Sequence, residues 1–250
     1  MTITAIIVVI IGAAIAGFVQ GLSGFAFSLV SMAFWAWVLP PQLAGPMAVF
    51  GSLIGQIIGL RSLRGKFRLA PALPFIAGGI AGIPIGIALL DRIDADWFKF
   101  TLGTLLVVYC PLMLVAANLP RIVFGGRLAD GAIGVAGGTM GGLGGMSGAV
   151  PTLWCTLRGW PKDEQRSVVQ SFNLSMHVLT LGAYAATGTI TAEAGRMFLL
   201  LVPAMIVPTL IGTHVYSRFS EAAFRRLVLL LLSLSGVALL VAAVPALLSR

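Results

Sequence analysis

Two glycine-rich stretches each place polar side chains that could hold a ligand in an otherwise apolar chain. The first, GFVQGLSGFAF (17–27), offers the amide of Gln20 and the hydroxyl of Ser23 beside Gly24 and Phe25. The second, GTMGGLGGMSG (138–148), offers Thr139 and Ser147 beside Gly144 and Gly145. Glycine in a helix interior costs about 1 kcal/mol relative to alanine. Both stretches therefore read as helix breaks, with Gly17, Gly21, Gly137 and Gly141 as the break positions. Beyond a break, the second helix presents free N–H groups and a partial positive charge. Such a terminus binds anions, and glycine lets a ligand reach the backbone. The expected ligand is a small oxyanion. A packing reading competes: Gly17/Gly21, Gly137/Gly141, Gly141/Gly145 and Gly144/Gly148 all have small-xxx-small spacing. The two roles can coexist.

A third polar group lies within 167–187. Gln170, Asn173 and His177 follow i, i+3, i+7 spacing and share one side of a helix. They are expected beside the second break, either lining a site or bonding between helices. Ser52 and Gln56 are their first-half counterparts. His214 falls near a helix end and reads as structural or interfacial. No Asp or Glu falls deep in a span, which argues against a carboxylate proton relay or a cation site. His177 is the one deep titratable candidate. There is no HExxH, no deep aspartate pair, and no serine–histidine pairing beyond Ser147 and His177. No catalytic residue, metal or cofactor is expected, and the chain does not read as an enzyme.

The elements that must position these groups are membrane helices. The 250 residues are 58% hydrophobic and only 10% charged, with a mean hydropathy of +1.03, whereas soluble domains carry about 25% charged residues. The net charge of +8 reflects basic loops at the membrane surface rather than nucleic-acid binding. No basic run with interleaved aromatics exists. Cys110 and Cys155 lie in apolar stretches and read as buried thiols. The N-terminal apolar run has no basic region before it and reads as a retained segment, not a signal peptide.

Six stretches suit single crossings of a core roughly 30 Å thick: 41–60, 69–90, 97–118, 167–187, 197–216 and 224–248. Two others, 2–39 and 129–157, are too long for one crossing and are interrupted by glycine. They match each other. A slide of 120 positions pairs Gly17 with Gly137, Gly21 with Gly141, Gly24 with Gly144 and Pro41 with Pro161. A slide of 126 pairs Gly86 with Gly212, Arg92 with Arg218, Phe98 with Phe224 and Lys99 with Arg225. The chain reads as a duplication, with repeats at 1–120 and 127–250.

Loop charge then sets the topology. If each interrupted segment crosses once, the sixteen Lys and Arg divide evenly between the two sides. If each dips in and returns, only Arg92, Lys99, Arg196 and Arg250 leave the basic side. The positive-inside rule favours the second arrangement. Two short full crossings in place of each hairpin would give the same sidedness. The expected fold is an all-α polytopic membrane protein of two inverted-topology repeats. Each repeat is a glycine-broken re-entrant hairpin followed by three transmembrane helices. Both termini are expected on the extracytoplasmic side of the inner cell membrane.

The motifs AGFVQGLSGFAF and AGGTMGGLGGMSG open two halves, and Pro41 and Pro161 follow them. In this the chain resembles the sulfite exporter TauE/SafE family of membrane permeases. The resemblance implies export of a sulfur-containing oxyanion, sulfite or an organosulfonate such as sulfoacetate. It places the paired broken segments at Gly17, Gly21 and Gly24 and at Gly137, Gly141 and Gly144. Phe25, Ala26 and Phe27 depart from the usual glycine-rich form of the first motif. The expected partners are the anion, the lipid bilayer and, as one option, a second copy in a homodimer. Alternatives are an anion channel, or an exporter of another small organic anion.

Overall fold

A computed structural model describes residues 2–24, 26–60, 69–215 and 221–249. Every regular element among them is helical. The first half holds α1 (Ile3–Ser23), α2 (Phe27–Trp35), α3 (Pro41–Leu60), α4 (Leu73–Arg92) and α5 (Ala95–Val115). The second holds α6 (Gly126–Gly144), α7 (Ala149–Leu157), α8 (Lys162–Thr187), α9 (Ala192–Val215) and α10 (Glu221–Leu248). The helix ends follow local chemistry. Thr2 caps α1 by accepting from the Ala5 N–H at 3.3 Å. Asp94 caps α5 by accepting from Asp96 and Trp97 at 3.0 and 2.9 Å.

The two breaks fall later than the sequence suggests. Gly17 and Gly21 lie inside α1, and Gly137 and Gly141 lie inside α6. The chain turns at Gly24 (φ 84°) and Gly145 (φ 75°), left-handed positions that cost a side-chain-bearing residue energy. Each of these N–H groups bonds four residues back, to Gln20 and to Gly141, at 2.7 Å. The break thus occurs where the backbone needs a positive φ, not where glycine first becomes frequent. The two turns are 121 positions apart, so Gly145 rather than Gly144 is the structural equivalent of Gly24.

After each turn the chain folds back. The Trp35 indole donates to the Val9 carbonyl at 3.2 Å, bringing the end of α2 beside the early turns of α1. The Trp154 indole and the Arg158 guanidinium both reach Asp130, at 2.7 and 2.9 Å, and do the same for α7 and α6. The hairpins are unequal. At 1.5 Å per residue α1 is about 32 Å long and α2 only about 14 Å. Only the returning arm is a half-helix.

Among the described residues six helices are long and apolar enough to cross a membrane: Ile3–Ser23, Pro41–Gly59, Ala70–Arg92, Ala95–Val115, Ala192–Val215 and Arg226–Leu248. This set differs from the expected six. It gains α1, the first arm of the first hairpin, and lacks α8, whose 26 residues carry too many polar groups. Large apolar side chains such as Leu199, Val207, Leu231 and Val241 face outward, as a lipid solvent requires.

The interrupted helices pack most extensively on helices of the other half: α1 on α9, and α6 on α4. Both pairs run parallel. Gly17 meets Met205 and Gly21 meets Thr209 and Gly212; Gly134 meets Phe75, Gly138 meets Gly79 and Gly142 meets Ile83. Here the packing role of glycine is realised. Gly78, Gly82 and Gly86 on α4 face α6, while Gly134, Gly138 and Gly142 on α6 face α4. Six missing Cβ atoms let two backbones touch, which is how helices associate in lipid. By contrast α5 and α10 run antiparallel, with Gly103 beside Leu240, Leu106 beside Gly236 and Cys110 beside Ser233. Cys110 and Cys155 are both free and buried.

Candidate functional site

The first turn is closed by glutamines. Gln20, 2% exposed, accepts from the Phe27 N–H at 3.0 Å and donates to the Gly24 carbonyl at 3.2 Å. Gln56, on α3, donates to the same carbonyl at 3.0 Å, and its Oε1 has no hydrogen-bond partner. The N–H of Phe27, which opens α2, is thus held by protein rather than offered to a ligand. Ser23 is the last residue of α1 and is partly exposed. Phe25 lies outside the described residues.

Ser28, the second residue of α2, donates to the Gly145 carbonyl at 2.7 Å. The Ser52 hydroxyl bonds Ser28 in turn, as donor, because the Ser28 proton is committed to Gly145. The two folded-back segments therefore touch directly. Their meeting point is filled: a methyl on Gly145 would sit 2.7 Å from Ser28 Oγ and 3.1 Å from the Val49 nitrogen.

The second turn binds α8. Gly144 closes α6 and Gly145 caps it. Ser147, wholly buried, donates to Asn173 Oδ1 at 3.0 Å. His177 Nδ1 lies 2.6 Å from the Asn173 carbonyl and 3.4 Å from Ser147 Oγ. The shorter contact requires the proton on Nδ1, donating to the carbonyl. Asn173 and His177 stand 121 positions after Ser52 and Gln56, which bond Ser28 and the Gly24 carbonyl at the first turn. Thr139 is not part of this group. It lies on the α4 side of α6, with its backbone against Gly82 and Gly86.

Gln170 diverges from Asn173 and His177. It faces the first turn, across a small cavity whose lining includes Gln20, Gly21, Gly24, Gly55, Gly59 and Arg166. The cavity volume is about 40 Å³. The Gln170 Nε2 is buried and unpartnered. One helix thus serves both turns, since successive positions along its polar face are displaced along the axis at about 1.5 Å per residue and meet different neighbours.

Three contributors were not singled out from the sequence. Arg166 lies one turn before Gln170. Thr180 lies one turn beyond His177, buried, with its hydroxyl unpartnered and 3.9 Å from where a Gly141 Cβ would be. Extending the polar stripe one turn each way along α8 would have found both. Thr209, on α9, lines the cavity too, and only the α1–α9 pairing reveals it.

Asp130 is 6% exposed and near the start of α6. It pairs with Arg158, whose guanidinium also lies 5.8 and 5.6 Å from the Trp154 and Trp160 ring centres. This clasp joins the two arms of the second hairpin. Among the described residues no three His, Cys, Asp or Glu gather to hold a metal. A larger recess, about 170 Å³, is almost wholly apolar, with Phe98, Leu102, Met140 and Met146 in its lining. It offers an anion no donor except the Thr101 hydroxyl, whose proton goes to the Phe98 carbonyl.

The family model described as Sulfite exporter TauE/SafE matches residues 9–239. No match is found among curated proteins or among solved structures.

Proposed function

The chain belongs to the sulfite exporter TauE/SafE family, and on that premise we propose that it exports a small sulfur-containing oxyanion by alternating access around its two folded-back segments. Sulfite and organosulfonates such as sulfoacetate are the substrate class. The observation that carries this reading is the contact of Ser28 with Gly145. It joins the two irregular turns inside the helical bundle, and irregular backbone at membrane depth is tolerated where protein surrounds it or a cavity adjoins it.

The helix pairing supports an inverted repeat. Exchanging the halves turns α1 against α9 into α6 against α4, and both pairs are parallel. It turns α5 against α10 into itself, and that pair is antiparallel, as a two-fold axis in the membrane plane requires. With the basic loops inside, the first hairpin enters from outside and the second from inside, and both termini face out. The substrate is handled by the polar groups around the two turns: Gln20, Gly24 and Gln170 at the first, and Gly145, Ser147, Asn173 and His177 at the second. The N-termini of α2 and α7 add favourable dipoles. An interior-negative potential of 100 mV favours exit by about 2.3 kcal/mol per negative charge, so export needs no carboxylate relay.

The test is flux from liposomes holding only this protein and loaded with sulfite, sulfoacetate, taurine or sulfate, with and without a pH gradient. Saturating efflux of sulfite or a sulfonate is expected. Efflux that never saturates would turn the reading toward a channel. No movement of any of the four would remove it.

A further inference from the structure

The cavity beside the first turn lies apart from the Ser147–Asn173–His177 cluster. It contains an unsatisfied donor. Gln170 is 4% exposed, and its Nε2 meets no acceptor. A buried donor left unpaired is destabilising, and a ligand that accepts from this amide would relieve that. Arg166 lines the same cavity one helical turn earlier, placing a permanent positive charge on the same face of α8. Among the described residues that line it there is no carboxylate. Thr209 and Thr213 give their protons to the Met205 and Leu210 carbonyls. Gln170, with its unpartnered Nε2, and Arg166 bring side-chain donors to the space.

Glycine keeps the space open. A Cβ on Gly59 would come 3.1 Å from Gln170 Nε2. A Cβ on Gly24 would meet nothing within 4 Å, so the turn presents bare backbone to the cavity. A water needs roughly 10–15 Å³ on this measure, so about 40 Å³ admits about three water-sized groups. That suits the oxygens of one sulfite or one sulfonate head and excludes a nucleotide.

We infer that this cavity is a loading site for the sulfite or sulfonate group, bound by Arg166 and Gln170 before the anion passes the meeting point of the two turns. The inference rests on the transport reading for its ligand. Arg166 sets affinity through charge, and Gln170 fixes one oxygen. The passing step needs the Ser28–Gly145 contact to open, which places this site on one side of it and Ser147, Asn173 and His177 on the other.

The experiment uses the full chain. Sulfite efflux kinetics are measured for wild type, Arg166→Gln, Arg166→Lys, Gln170→Leu and Gly59→Ala. Sulfite binding to the purified chain is followed separately by calorimetry. Losing a hydrogen bond to a charged group is expected to raise KM and Kd for sulfite roughly tenfold in Arg166→Gln and Gln170→Leu, with kcat nearly unchanged. Arg166→Lys should recover part of the loss. Gly59→Ala, which retains both donors but crowds the cavity, should also raise KM. Wild-type KM and Kd in both Arg166→Gln and Gln170→Leu would overturn the inference and leave the transport reading intact. If the wild type moves no sulfur anion, the transport reading fails and binding alone decides: sulfite affinity lost in Arg166→Gln upholds the site. Unchanged or absent binding removes it.

Discussion

Ser28 donates its hydroxyl to the carbonyl of Gly145 at 2.7 Å, across 117 positions of sequence, and so joins the two halves of the chain at their irregular turns. A hydrogen bond between membrane helices contributes about 0.6 kcal/mol on average, so the bond itself is weak. Its importance lies in what must break if the turns separate. Ser28→Ala is expected to cost under about 1 kcal/mol in unfolding measurements and to change efflux kinetics more than stability. Wild-type efflux in a normally folded Ser28→Ala would show that the contact plays no part in the cycle.

Gly145→Ala should be far more damaging. The residue holds φ at 75°, and a methyl would press on Ser28 and Val49. A residue forced into the left-handed region costs of order 1–3 kcal/mol, with the clash added. Lower yield and lower melting temperature are expected, compared with Gly144→Ala as a neighbouring control.

The glycine stripe between α4 and α6 predicts a graded series. A methyl at Gly138 would sit 2.7 Å from the Gly79 carbonyl carbon, and overpacking costs about 1–3 kcal/mol or more. Gly182 and Gly195 face open space, with nothing within 4 Å. Alanine there should be neutral or raise stability by up to about 1 kcal/mol. Equal effects at Gly138 and Gly182 would contradict the close approach of the two backbones.

Asp130 and Arg158 should show strong coupling. Removing one partner of a buried pair costs about 3–5 kcal/mol, because the other is stranded. Side-chain exposures of 9% and 19% place this pair near that regime. Asp130→Asn should destabilise sharply, and adding Arg158→Gln should restore part of the loss. A double-mutant cycle on unfolding measures the coupling; additive effects would make the clasp ornamental.

Sidedness can be read from single cysteines. Cys110 and Cys155 are buried, so a new surface thiol stands out against them. Arg127→Cys is expected to label only from the cytoplasm, and Arg92→Cys only from outside. The reverse pattern would invert the topology. Arg61, Arg64, Lys66, Arg68 and Arg218, which also carry the charge argument, lie outside the described residues.

Composition and periodicity were enough to read a helical membrane chain, two glycine-interrupted segments and a polar face on one helix, because these are local or additive properties. Transfer into lipid sums over about 20 residues, and a 3.6-residue period places Gln170, Asn173 and His177 on one side. Glycine frequency alone could not fix the break position. Gly17, Gly21, Gly137 and Gly141 stay helical and pack against neighbouring segments, and the chain breaks at Gly24 and Gly145, where φ is positive. Nor could spacing separate Gln170 from Asn173, since which neighbour each meets depends on how α3, α4, α6 and α7 surround α8. The cavity with Arg166 and Thr209 arises only where helices from both halves converge. Contacts between residues far apart in sequence are set by the packing of whole helices, and no local pattern carries that information.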